Sequence, residues 1–207
     1  MKMLAYDTSS DVLSVALFEG PRRLAGFNSP LFTRHSSALV PAIDRLLRKA
    51  RVKPKELNCI AVGLGPGSFT GLRVGVTTAK VLSYVTGAKL VGVSSLEIIA
   101  AQAKTTRGNI VVLVDARKGK VYAGCYRKNT QGTLQVIRAP ALTDAASFMR
   151  KIGKPAVVLK DNVFPKASDL GPLARQRIKQ RRFIDPFKCR PLYLYPKDCS
   201  VIRKREA

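Results

Sequence analysis

The chain's chemistry-bearing residues fall into three groups. The richest is Gly63-Leu64-Gly65-Pro66-Gly67-Ser68-Phe69-Thr70-Gly71, which reads as strand, glycine turn, helix start. Backbone N–H groups at a helix start bind anions such as phosphate. The stretch lacks the Gly-Lys-Ser/Thr of a phosphate-cradling loop and does not spell G-x-G-x-x-G, so a tight turn is the plain alternative. The second group is two aspartates at strand ends: Asp7 with Thr8 and Ser9, and Asp115 with Arg117. In a phosphotransfer enzyme such aspartates hold magnesium or orient water, and they could contact a nucleotide. Turn chemistry favours the same residues. The third is a basic run, Arg175, Arg177, Lys179, Arg181 and Arg182, followed by Phe183 and Phe187. Lys and Arg neutralise phosphates and aromatics stack on bases, so RNA contact is one reading and a solvated basic face the other.

Charge supports the third group most directly. Thirty-seven Lys and Arg oppose thirteen Asp and Glu, a formal +24. Residues 101–207 hold 24 of those bases and 7 of the acids. A field of that sign attracts polyanions, although an organism-wide bias would look the same. Metal chemistry is disfavoured. Cys59, Cys125, Cys189 and Cys199 are scattered, no C-x-x-C occurs, and His35 is the single histidine, so no zinc site is expected. No apolar run approaches a membrane span. The start has no apolar signal core, so a cytoplasmic protein is expected.

The elements that must position these residues follow from periodicity. Met3–Tyr6 and Val12–Phe18 are apolar on both faces and predict a buried hairpin, with Leu24–Asn28 as a third strand. Leu39, Val40, Ile43, Leu46, Leu47 and Ala50 predict a helix over 35–50, with Ser36 or Ser37 as its cap and Pro41 near its first turn. Cys59–Leu64 is a strand, Thr70–Thr86 a helix, Lys89–Val93 a strand. A helix from Ser94 or Ser95 to about Lys104 follows. After the polar Thr105–Gly108 the opening theme returns: Ile110–Val114, Asp115, a turn, and Lys120–Tyr126. Thr133–Ile137, a helix over 143–151 capped by Thr143, and Ala156–Leu159 complete the readable part. From Phe164 periodicity fades, and 191–196 reads as a last extended piece. This is an α/β chain with an internal duplication. It divides into a first lobe at 1–104, a smaller basic lobe at 105–190, and a basic tail at 191–207.

Inside the 70–86 helix, Gly71, Gly75, Ala79, Ser83 and Gly87 recur every fourth residue. Glycine in a helix costs about 1 kcal/mol relative to alanine, so close approach by something is implied. Spacing alone leaves open whether that is the chain's own sheet and first helix or another subunit.

Three motifs carry a family resemblance. Leu4-Ala5-Tyr6-Asp7-Thr8-Ser9, His35-Ser36-Ser37-Ala38-Leu39-Val40-Pro41, and Gly63 through Gly75 resemble the bacterial TsaB (YeaZ) family, as does Pro191-Leu192-Tyr193-Leu194. The resemblance implies a two-lobed actin-like, sugar-kinase/Hsp70-type (ASKHA) α/β fold with a duplicated mixed sheet and flanking helices. It implies a non-catalytic assembly subunit of the complex that makes threonylcarbamoyladenosine beside the tRNA anticodon. That subunit binds and activates the catalytic paralogue TsaD, with the ATPase TsaE in the larger complex. In TsaD two metal-binding histidines follow the next strand, and hand alignment puts Ser95 and Ile99 there. With one histidine in the chain, that metal site cannot form.

The family's first two helices build a four-helix bundle with those of TsaD. Carried over, Leu39, Ile43, Leu46 and Leu47 and Gly71, Val74, Gly75 and Thr78 are the expected contacts. No intrinsic cofactor is expected, and ATP or ADP belongs, if anywhere, at the TsaD interface. tRNA itself and a homodimer of the chain alone are further partners this reading admits. An ATP-dependent phosphotransferase of the same fold and a plain RNA-binding module stay open as alternatives; metalloprotease activity fails on the missing ligands.

Overall fold

A computed structural model describes residues 1–30, 35–105 and 107–195, apart from the side chains of His35 and Ser36. The basic tail beyond Tyr195 and the His35 side chain, both singled out in the sequence, lie outside the described residues. The first sheet forms from β1 (Lys2–Asp7), β2 (Val12–Glu19), β3 (Arg22–Pro30), β4 (Leu57–Gly63) and β5 (Lys89–Val93). Its order is β3-β2-β1-β4-β5. The opening hairpin and β3 are antiparallel, whereas β1–β4 and β4–β5 are parallel.

Both faces of this sheet are covered, which explains its non-alternating strands. Leu4 and Tyr6 of β1 face α1 (His35–Lys49) and α2 (Phe69–Thr86), where Leu39, Ile43, Leu46 and Leu47 pack. Met3 and Ala5 face the other way, into a core shared with α3 (Ser95–Ala101) and the second sheet.

The second sheet contains β6 (Ile110–Asp115), β7 (Val121–Lys128), β8 (Leu134–Thr143) and β9 (Val157–Leu159), in the order β8-β7-β6-β9. Its pairing repeats the first with one strand fewer: two antiparallel steps from the opening strand on one side, and one parallel step on the other where the first sheet has two. The duplication visible in sequence is therefore a duplication of topology. Helix α4 (Ala145–Ile152) packs Phe148 beneath it. Its N-cap is Asp144, which accepts the Ser147 amide at 2.8 Å, and not Thr143 as expected. A carboxylate oxygen accepts the orphan amide more strongly than a neutral hydroxyl does.

The lobe boundaries need one correction. Helix α5 (Ala167–Lys179), which the fading periodicity hid, packs on β1, β2, β4 and β5 of the first sheet. Beyond it, Ile184 bridges to Leu90 of β5 and Cys189 is buried with the α1–α2 core. Residues 105–190 thus do not stay together: the chain returns to the first sheet after β9. Leu170, Leu173 and Ala174 are the anchors, and each large apolar side chain so buried contributes about 1.5–3 kcal/mol. Among the described residues no helix is long and apolar enough to cross a membrane.

Candidate functional site

The end of β1 and the start of α2 meet at the centre of the first lobe. Asp7 and Thr8 are fully buried and Ser9 nearly so. The Asp7 carboxylate accepts the Ser9 amide and hydroxyl, both at 2.7 Å, and the Ser95 hydroxyl at 2.7 Å. Ser95 in turn accepts the Gly65 amide at 3.0 Å. The Ser68 amide donates to the Ser9 carbonyl at 2.7 Å. The glycine turn therefore lies closed over the aspartate turn, tied to it by backbone and side-chain bonds.

Two more bonds clamp the end of β1 onto α2, and a third caps the helix there. Tyr6 donates its phenol to the Gly75 carbonyl at 3.0 Å, and Thr8 donates to the Gly71 carbonyl at 2.7 Å. Ser68 caps the helix by accepting the Gly71 amide at 3.2 Å. Burial pushes the Tyr6 phenol well above its ordinary pKa, so it remains a donor at all ordinary pH. A Cβ at Gly71 would overlap the Thr8 carbonyl, and one at Gly75 the Thr8 hydroxyl. The glycines exist so that this turn can reach the helix.

That geometry corrects the interface expectation. Gly71, Gly75, Ala79 and Ser83 are buried against the chain's own sheet. Leu39, Ile43, Leu46 and Leu47 are likewise at most 4% exposed; only Val74 and Thr78 of the expected contacts are half-exposed. The physical reason is direct: an amphipathic helix gives its apolar stripe to the sheet first. What the pair turns outward is a second apolar set, Val40 on α1 and Val81, Tyr84 and Val85 on α2, between 55% and 69% exposed. Exposed large apolar groups clustered on one element mark an interaction site. Sequence reasoning counted Val40 on the apolar stripe of α1, whereas it is exposed, and passed over the other three because the 70–86 window is apolar on more than one side. Phe187 packs edge-on to Tyr84 at 5.6 Å and extends the set.

The nucleotide residues are not assembled. Asp7, Thr8 and Ser9 are sealed and engaged, so phosphates or magnesium do not fit there. Asp115 is exposed and accepts the Arg117 amide at 2.9 Å. It lines an open cleft of about 360 Å3 with Leu113, Val121, Lys160 and Asp161. Ser95, at the aligned histidine position, is consumed by Asp7, and Ile99 is core. Among the described residues no group of His, Cys, Asp or Glu could hold a metal ion. The basic run splits too. Arg177 is paired with the nearly buried Glu97 at 2.7 Å, and Arg175 lies over the Phe18 ring at 5.7 Å. Lys179, Arg181 and Arg182 are exposed.

Comparison with known proteins places this architecture. Residues 31–173, well over half of the chain, match the family described as TsaD, tRNA N6-adenosine threonylcarbamoyltransferase. The tRNA threonylcarbamoyladenosine biosynthesis protein TsaB of Bacillus subtilis is 35% identical over 77% of this chain and 70% of its own length. The chain belongs to the TsaB family. Escherichia coli TsaB is 28% identical over 94% of both chains. YeaZ from Pseudomonas aeruginosa superimposes with a TM-score of 0.80 at 27% identity, over 93% of this chain and 99% of that one. Function in tRNA threonylcarbamoyladenosine biosynthesis follows from the family.

Proposed function

We propose that this chain is the non-catalytic assembly subunit of the threonylcarbamoyladenosine complex. It docks on TsaD through the outward face of α1 and α2 and holds TsaD in its active form. The observation that carries this reading is the exposed set Val40, Val81, Tyr84 and Val85 on two helices whose inner faces are already satisfied. Burying those side chains in a partner is favourable at about 25 cal/mol per Å2 of apolar surface removed from water. The sealed Asp7 turn supports a supporting role over an enzymatic one, because the phosphotransferase alternative needs that carboxylate free. On the same reading we assign ATP or ADP to the junction with TsaD rather than to the Asp7 turn. TsaE joins the larger assembly, and a homodimer through the same face forms when TsaD is absent.

Co-purification tests the docking face. Tagged chain captures TsaD, and Val81→Glu with Tyr84→Glu abolishes capture while leaving the thermal midpoint unchanged. Undiminished capture by that double variant would overturn the assignment.

A further inference from the structure

The chain's positive charge greatly exceeds its internal use. Among the described residues the ion pairs are Lys2–Glu56, Arg48–Asp44, Lys160–Asp161 and Arg177–Glu97. None of them takes a cation from residues 179–190. This segment leaves α5, crosses the edge of β5 and turns against α2. It carries Lys179, Arg181, Arg182, Lys188 and Arg190, all exposed. Its single acid is Asp185, which accepts the Phe187 amide at 2.8 Å.

The segment is held in place. The Arg182 amide donates to the Arg177 carbonyl and the Ile184 amide to the Leu90 carbonyl of β5, both at 2.9 Å. The Lys188 and Cys189 amides both close onto the Asp185 carbonyl, and the Cys189 side chain is buried. Arg190 donates to the Phe187 carbonyl at 2.8 Å. Between the cations, Phe183 and Phe187 are 40% and 66% exposed. Burial of apolar surface does not explain the Phe183 ring left exposed among these cations. A fixed row of cations interleaved with exposed rings has the chemistry that phosphate backbones and unstacked bases recognise. An acidic peptide would use the charges but leave the rings idle.

We propose that residues 179–190 form an RNA-contacting strap. Lys179, Arg181, Arg182 and Lys188 take backbone phosphates, and Phe183 stacks an unpaired base. Phe187 instead rests on Tyr84, so the strap is continuous with the outward face of α2. RNA held by the strap therefore runs beside the docked subunit, and the two chains share one RNA track. The inference rests on the functional reading above for the identity of the RNA as tRNA; the surface itself is argued from charge and exposure.

The test is a salt titration of unmodified tRNA binding to the full chain. Four phosphate contacts predict a log–log salt slope of about −3. Lys179→Glu combined with Arg181→Glu and Arg182→Glu lowers affinity at least tenfold and flattens the slope by about 2. Phe183→Ala, which leaves every cation in place, lowers affinity by about tenfold with an unchanged slope. TsaD capture by both variants is retained. Wild-type affinity and slope in the triple variant, or equal binding of polyglutamate and tRNA by the wild-type chain, would overturn the strap. Loss of TsaD capture by the wild-type chain with its tRNA binding intact would overturn the docking reading and leave the strap standing.

Discussion

At the end of β1 the Asp7 carboxylate is fully buried and accepts three hydrogen bonds from Ser9 and Ser95. At the end of β6, the same place in the repeated topology, Asp115 is exposed and accepts the Arg117 amide. The two turns share a strand, an aspartate and a returning strand. They differ in what lies over them. The first is covered by the glycine turn and the opening of α2, reached through Gly71 and Gly75. The second has Arg117, Lys118 and Gly119 at positive φ and stands open. A repeated motif thus preserves backbone pairing without preserving a task. The buried copy joins sheet to helix, and the exposed copy is free of that duty.

The comparison is broken or sharpened most strongly at the glycines. Gly75→Leu places a branched side chain where Thr8 already stands, and costs about 3 kcal/mol or more of stability by overpacking. Urea denaturation reads this as a large drop in midpoint or a chain that does not fold. A Gly75→Leu chain that keeps its wild-type midpoint but loses TsaD would return the small-residue ridge to the partner interface.

Next in size, Asp7→Ala strands the Ser9 and Ser95 donors and lowers stability by about 1–3 kcal/mol. Asp115→Ala changes it by less than about 0.5 kcal/mol, as an exposed site should. Equal effects at the two aspartates would dissolve the contrast.

The smallest expected effect concerns Asp144, whose carboxyl is held below the usual carboxylate range by the Ser147 amide it caps. A lowered folded-state pKa means the contribution is present above the unfolded value and is lost as pH falls through the folded one. The midpoint gap between wild type and Asp144→Ala should therefore be open at neutral pH and close on acidification below about pH 4. A gap that widens on acidification would contradict the cap.

Much of the fold is legible in the sequence itself. Strands such as Leu13–Leu17 are apolar on both faces because α1 and α2 cover one side and α5 the other. The duplicated hairpins were visible because pairing follows pattern. Side choice was not. Every fourth residue of α2 is small, and spacing states that something approaches closely without saying what. The answer depended on the Thr8 carbonyl, which is distant in sequence. Helix α5 was missed because Pro172 and a dense set of bases obscure Leu170, Leu173, Ala174 and Ile178, which do keep helical spacing. Strand β8 outran its expected end at Ile137 because it lies at the sheet edge, where Pro140 costs no ladder bond. Arg175 and Arg177 looked like a surface run and turned inward because Phe18 and Glu97 come from strands and helices far along the chain.

The most direct test of the assembly role is formation of threonylcarbamoyladenosine on tRNA by purified TsaD and the remaining enzymes of the reaction, with this chain added, omitted, or replaced by the Val81→Glu, Tyr84→Glu variant. The account predicts modified tRNA with the wild-type chain, little with the variant or without it, and no product from this chain in the absence of TsaD. Full modification when the chain is omitted, or product from the chain alone, would contradict it.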